Sequence, residues 1–182
     1  LQGDTVGKET VRRRKDGRSI QVRIYGVTII VNEKPVGVYG VYADITERKQ
    51  MEEALAKERD LLRTLIDNLP DRIYVKDAEG RILLGNLAYV RVLGATSPQE
   101  IVGKTDFDFR PSEVAAKFHA DEQALLQSGE PLINQEQMHV DKTGATTWVL
   151  ATKVPWRESQ GEVVGIVGIS RDITERKRAE ER

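Results

Sequence analysis

"DITERK" stands at Asp44–Lys49 and again at Asp172–Lys177. The match runs upstream: "GVYGVYADITERK" (Gly37–Lys49) corresponds to "GIVGISRDITERK" (Gly165–Lys177), an offset of 128 residues. In both copies a β-branched run leads into Asp, with Glu three residues later and an unbroken charged stretch beyond. Asp is a favoured helix N-cap, and an acid three residues on completes a pair like the capping box. The positive end of the helix dipole favours both charges. The repeat therefore reads as a strand-to-helix junction built on Asp44, Thr46 and Glu47 and again on Asp172, Thr174 and Glu175.

The same order of features precedes each junction. "RRRKDGRSIQVRIYGVTIIVNEKPVGVYGVYA" holds a Lys-Asp-Gly turn, a β-branched run, the "NEKP" turn and a second run. "QMHVDKTGATTWVLATKVPWRESQGEVVGIVGISR" holds "DKTG" (Asp141–Gly144), a run, "ESQG" and another run. Each reads as three antiparallel strands joined by tight turns. Stretches such as Val27–Val31 and Val163–Ile169 are apolar on both faces, which asks for cover on both sides of the sheet. In the first copy the helical cover is missing, so an apolar face is expected to lie open.

Between the copies, "ERKQMEEALAKERDLLRTLIDNLP" has no Gly and no Pro before Pro70. Leu55, Leu62 and Leu69 recur every seven residues, with Met51 and Leu65 beside them, so this helix is expected to pair with a copy of itself. Next come a hairpin turning at "DAEG" (Asp77–Gly80) and a short helix from Leu87 capped by Asn86. Ser97 and Pro98 then start another turn of helix, and "DFDF" (Asp106–Phe109) makes a further one. A helix carrying Val114, Phe118 and Leu125 on its apolar stripe ends at Gly129. The middle of the chain is thus one complete β-β-α-α-α-β-β-β unit. The expected divisions are 1–44, three strands of an incomplete unit; 45–69, a linking helix; 70–173, the complete unit; and 174–182, the start of an outgoing helix.

Composition excludes several kinds of chemistry. The 182 residues include no cysteine, which removes disulfides, thiolate metal sites and cysteine-dependent flavin photochemistry. Net charge is −1, although residues 1–50 carry ten Lys or Arg against six Asp or Glu. No apolar run has the length of a membrane helix, no phosphate-cradling glycine loop or catalytic triad pattern appears, and no metal site is expected. The acids Asp106, Asp108, Asp121 and Glu122 read as solvated helix ends and loops. The chain opens on Leu, which suggests a piece of a longer protein.

Together, "LIDNLPDRIYVKDAEGRILLGN", "VGKTDFDF", "HADEQALLQSGEP" and the terminal "DITERK" resemble the PAS sensory family over residues 57–178; residues 8–50 resemble the last three strands of a preceding member. The resemblance implies an α+β fold: a five-stranded antiparallel sheet in the order 2-1-5-4-3, with helices over one face enclosing a pocket. It implies no enzyme in this chain, but a sensory or relay segment of a multidomain signalling protein, a sensor histidine kinase or a cyclic-dinucleotide enzyme, lying in the cytoplasm. The expected relay runs from the sheet through Asp172–Glu175 to the outgoing helix. The ligand, if there is one, is unknown. Candidate pocket residues are Tyr74, Asn86, Phe118, His119, Met138, Trp148, Thr152 and Ser170, with Arg72 as a further polar strand residue. His119, on the helix that carries the haem ligand in oxygen-sensing members, makes a haem sensor one alternative. His139 is expected to point outward, because Met138 and Val140 would share the inner face. A ligand-free dimerisation or spacer module is the other alternative. The expected partners are a second copy, through the linking helices and the outer sheet face, and a small molecule; neither nucleic acid nor membrane is expected for this fragment.

Overall fold

The computed structural model describes residues 6–140, 145–180 and 182. The turn expected at Asp141–Gly144 lies outside the described residues. The chain divides into two compact units, Leu1–Leu61 and Leu62–Arg182. No helix among the described residues is long and apolar enough to cross a membrane.

In the first unit, β1 (Val6–Arg13), β2 (Ser19–Val31) and β3 (Lys34–Asp44) form an antiparallel sheet in that order. The β2–β3 hairpin turns on Asn32 and Glu33, both at positive φ (49° and 64°). Two successive left-handed residues give a turn whose twist matches that of the strands. Val22 and Ile45 are buried, but Ile29, Ile30, Val36, Val38, Tyr39 and Tyr42 are exposed, so the apolar sheet face is open as expected. Helix α1 (Thr46–Asp67) follows β3 and has no buried residue. Its Met51, Leu55, Leu62 and Leu65 are all more than half exposed.

In the second unit, β4 (Arg72–Asp77), β5 (Ile82–Gly85), β6 (Leu132–Val140), β7 (Thr146–Arg157) and β8 (Val163–Asp172) build a five-stranded antiparallel sheet in the order β5-β4-β8-β7-β6. Counted within the unit this is the expected 2-1-5-4-3. Between β5 and β6 lie α2 (Leu87–Val92), single 3-10 turns at Pro98–Glu100 and Asp106–Asp108, and α3 (Ser112–Ser128). Gly129 ends α3 in the left-handed region (φ 67°) and returns its N–H to the Leu125 carbonyl, the C-cap for which glycine is suited. Tyr74, Ile82, Tyr89, Val90, Leu93, Ile101, Leu125 and Ile166 form the core under the helices. Helix α4 (Thr174–Glu180) leaves the end of β8.

The structure corrects the expected face of β6. Leu132 pairs with Lys153, but Gln135 pairs with Ala151, so β6 carries one residue more than its partner there. Asn134 takes up the extra length at φ 51°, and its N–H donates to Thr152 Oγ1 at 3.1 Å. A bulge of one residue exchanges the two faces of everything beyond it. Gln137 and His139 consequently turn inward, and Met138 is 55% exposed. Trp156, near the end of β7, is also exposed.

Candidate functional site

Period-two alternation along β4 puts Arg72, Tyr74 and Lys76 on the helix-covered face. Ser170 from β8, Ala151 and Lys153 from β7, and Gln137 and His139 from β6 join them. Tyr89, Asp106, Arg110, Phe118 and Glu122 close over the top, and the whole encloses a cavity of about 30 Å³. At ~10–15 Å³ per water-sized probe, this space accommodates about two waters.

The walls are charged. Lys76, only 1% exposed, lies at the centre. Its Nζ donates to both Glu122 carboxylate oxygens at 2.9 Å and also to Asp106 Oδ2. Lys153 Nζ reaches Glu122 Oε1 at 3.4 Å, and Arg110 Nε donates to Asp106 Oδ1 at 3.2 Å. Burial by itself would lower the Lys76 pKa, but the two carboxylates outweigh it and hold the ammonium above its ordinary value. Burial likewise opposes ionisation of Asp106, and Lys76 and Arg110 overcome it, so this carboxyl lies below its usual range. Asp106 is presented by the 3-10 turn, in which Thr105 and Asp108 make a capping box.

Tyr74 stacks on Tyr89 with ring centroids 4.6 Å apart. The stack needs Gly168 opposite Tyr74 on β8: a Cβ there would lie 2.2 Å from Tyr74 Cζ. The His139 ring lies 4.7 Å from that of Phe118, and its Nε2 is buried with no hydrogen-bond partner among the described residues. Burial, followed by the positive charges of Arg110, Arg72 and Lys153, pushes the His139 pKa down to about 4, so the ring is neutral near pH 7. Phe118, Gln137 and His139 also border a second space, an open groove of about 510 Å³ between α3 and β6, lined further by Val114, Lys117, Met138 and Trp148.

One cavity residue reaches the junction. Arg72 donates from Nη2 to Asp172 Oδ2 at 3.0 Å, while Asp172 Oδ1 accepts the Thr174 N–H at 2.9 Å. Thr174 Oγ1 accepts the Trp148 N–H at 2.9 Å, and Ile173 donates to the Trp148 carbonyl. Burial lowers the Arg72 pKa, with Arg110 adding to that effect and Asp172 opposing it. The first copy repeats the frame: Thr46 N–H donates to Asp44 Oδ1, Thr46 Oγ1 accepts the Gln21 N–H, and Ile45 donates to the Gln21 carbonyl. This corrects the expected cap. The first helical carbonyls belong to Ile45 and Ile173, which receive Lys49 N–H and Lys177 N–H. Each Asp therefore stands one residue outside the cap and acts through a side-chain turn, and Glu47 and Glu175 fall one position too early to close a capping box.

Of the expected pocket residues, Tyr74, Phe118 and Ser170 line the cavity, and Met138 and Trp148 line the groove. Three lie elsewhere. Asn86 is fully buried and saturated: its Oδ1 accepts from Ile73 N and Tyr89 N, and its Nδ2 donates to the carbonyls of Ile66 and Asp71. It ties α1, β4 and α2 together. Thr152 holds the β6 bulge. His119 packs beside Gly80 and edge-on to Phe107 at 6.2 Å, on the turn between β4 and β5. A haem in the cavity would have no ligand from it. The sequence reading missed Lys76, Lys153, Asp106, Arg110 and Glu122. Position did mark three of them: Lys76 is two residues from Tyr74 on a strand, Lys153 is two from buried Ala151, and Glu122 sits four after Phe118 and three before Leu125 on the apolar stripe of α3.

A family model described as the PAS fold matches residues 66–178. The chain is 38% identical over 134 residues to the virulence sensor protein BvgS of Bordetella bronchiseptica, covering 72% of this chain and 11% of that protein. It is 34% identical over 127 residues to the methanogenesis regulatory histidine kinase FilI of Methanothrix harundinacea, covering 70% and 14%. The solved PAS domain of Bordetella pertussis BvgS superposes with a TM-score of 0.54 at 35% identity, over 71% of this chain and 96% of that one. VqmA bound to DPO gives a TM-score of 0.54 at 26% identity, over 60% and 55%. The chain belongs to the PAS family. It is a PAS sensory module of the kind carried by signalling proteins, and it spans only about a seventh or less of the length of these two relatives.

Proposed function

We propose that residues 70–173 sense a small ligand, or a change in a neighbouring domain, and pass it to the helix that begins at Thr174. The carrying observation is Arg72: one side chain lines the cavity and also holds the carboxylate that orients the first turn of α4. A change in the charge or packing of the cavity alters the position of Arg72. Asp172 then shifts with it, and the outgoing helix repacks between two states. The output enzyme, a histidine kinase or a cyclic-dinucleotide enzyme, lies in another part of a cytoplasmic parent protein. A dimerisation role is the second reading, favoured by the exposed Met51, Leu55, Leu62 and Leu65 of α1, and it is compatible with relay.

The native chain has no cysteine, so a Glu79→Cys, Arg178→Cys pair gives two unique spin labels, one on the β4–β5 turn and one on α4. Arg72→Gln is expected to shift or broaden the distance between them. An unchanged distance distribution would remove Arg72 from the relay.

A further inference from the structure

The cavity walls hold more positive charge than they neutralise. Arg72 is met by Asp172 at the junction, which leaves three cations, Lys76, Arg110 and Lys153, facing two carboxylates, Asp106 and Glu122. Lys76 takes the closest contacts of both carboxylates. Lys153 keeps one long contact to Glu122, and among the described residues Arg110 gives Asp106 only its Nε, so its two terminal nitrogens make no hydrogen bond; both cations otherwise lie over the Phe118 ring, at 5.6 and 5.0 Å. The buried Nε2 of His139 lies at the same wall with no hydrogen-bond partner among the described residues. A buried cation with donors to spare is costly unless an anion meets it. The space beside these groups fits about two water-sized atoms. That is the size of the two oxygens of a carboxylate, whereas a phosphate brings four in a tetrahedron. A guanidinium fork also matches the planar carboxylate. Outward past Phe118 and His139 the groove has an apolar strip of Val114, Met138 and Trp148 bordered by Glu113, Lys117, Asp121 and Glu136, and that strip suits a short apolar tail.

We propose that this module takes a small organic acid, its carboxylate held by Arg110 and Lys153 and its apolar remainder lying in the groove against Phe118 and Trp148. The assignment deepens the sensory reading and rests on it for its biological meaning, but the two can fail separately. The chain would be titrated calorimetrically with acetate, butyrate and hexanoate, with butanamide as the neutral counterpart and inorganic phosphate as the alternative anion. Affinity is expected to rise about threefold to fourfold for each added methylene, from ~0.8 kcal/mol per buried group. Butanamide should bind at least about tenfold more weakly than butyrate, the loss of one charge-assisted contact. Lys153→Met should weaken butyrate by a similar factor, and Lys153→Arg should restore it, with the far-ultraviolet dichroism of each variant confirming the fold. Three results overturn the proposal: no binding of any acid in the series, butanamide equal to butyrate, or phosphate tighter than the acids. If butyrate binds but leaves the distance between the labels at positions 79 and 178 unchanged, the acid site stands and the relay fails. If Arg72→Gln moves that distance but no acid binds, the relay stands and the acid site fails.

Discussion

Replacing Glu122 by Gln preserves the volume of a side chain that is 3% exposed and removes one negative charge from the centre of the network. The native carboxylate accepts Lys76 Nζ through both oxygens at 2.9 Å and Lys153 Nζ at 3.4 Å. Gln retains one acceptor, and its NH₂ group confronts an ammonium. A hydrogen bond to a charged group contributes about 1.5–3 kcal/mol, and breaking a buried ion pair from one side costs about 3–5 kcal/mol. Lys76 still has Asp106, so the loss belongs at the low end, about 3 kcal/mol. For a unit of this size that lowers Tm by roughly 10 °C. Both tryptophans, Trp148 and Trp156, lie in the second unit, so thermal unfolding of the full chain followed by tryptophan fluorescence reports on it alone. The companion variant Lys153→Met should cost less, because Glu122 then keeps its closer partner. A Glu122→Gln melt within about a degree of the native chain would show that the network is not a stabilising unit, and an equal loss for Lys153→Met would refute the ranking worked from the distances.

Gly168→Ala should be as damaging through a different route. Its Cβ would lie 2.2 Å from a ring that is itself stacked on Tyr89. Overpacking of this kind costs about 1–3 kcal/mol, read as a Tm drop of several degrees with near-ultraviolet changes from the tyrosines. His139 predicts a pH dependence. Its folded pKa, about 4, lies below the ordinary 6.5, so between these values the unfolded chain binds more protons and stability falls as pH falls. The effect is at most about 3 kcal/mol. Denaturant midpoints measured from pH 7 to pH 4 should show a decline that is smaller in His139→Asn, and parallel curves for the two chains would contradict the buried, neutral ring.

The legible parts of this protein are those written locally. Asn86 before Leu87, Gly129 after α3 and the Asp-Ile-Thr-Glu junctions each place a capping or turn residue next to the backbone it serves, so the letters and the bonds lie within a few positions. Sheet order is not local, and it came from resemblance. The face of β6 was misjudged because a single extra residue at Asn134 inverts every later side chain, and a tolerated left-handed Asn looks the same in the sequence as an ordinary polar strand residue. The charged cavity was missed for a related reason. Asp106 and Glu122 lie 30 and 46 residues beyond Lys76, and a charged residue on an apolar stripe reads as solvated until its partner is seen.

The two junctions separate what the repeated motif does from what its surroundings do. In both, Ile donates to the carbonyl of an adjacent strand residue, Thr receives that residue's N–H, and Asp turns back on the Thr amide. Identical letters therefore build identical joints. The second oxygen of each Asp differs. Asp44 meets Arg14, whose side chain is 55% exposed at the β1–β2 hairpin, whereas Asp172 meets Arg72, whose side chain is 14% exposed on the cavity wall. An exposed pair contributes little and is screened by salt. In the second pair the Asp172 carboxylate is itself 48% exposed, and it is the arginine that is buried among the charged groups of the cavity. In the proposed relay, sensitivity to the cavity therefore belongs to the arginine at position 72 and its buried neighbours, and the motif supplies the hinge on which that sensitivity would act.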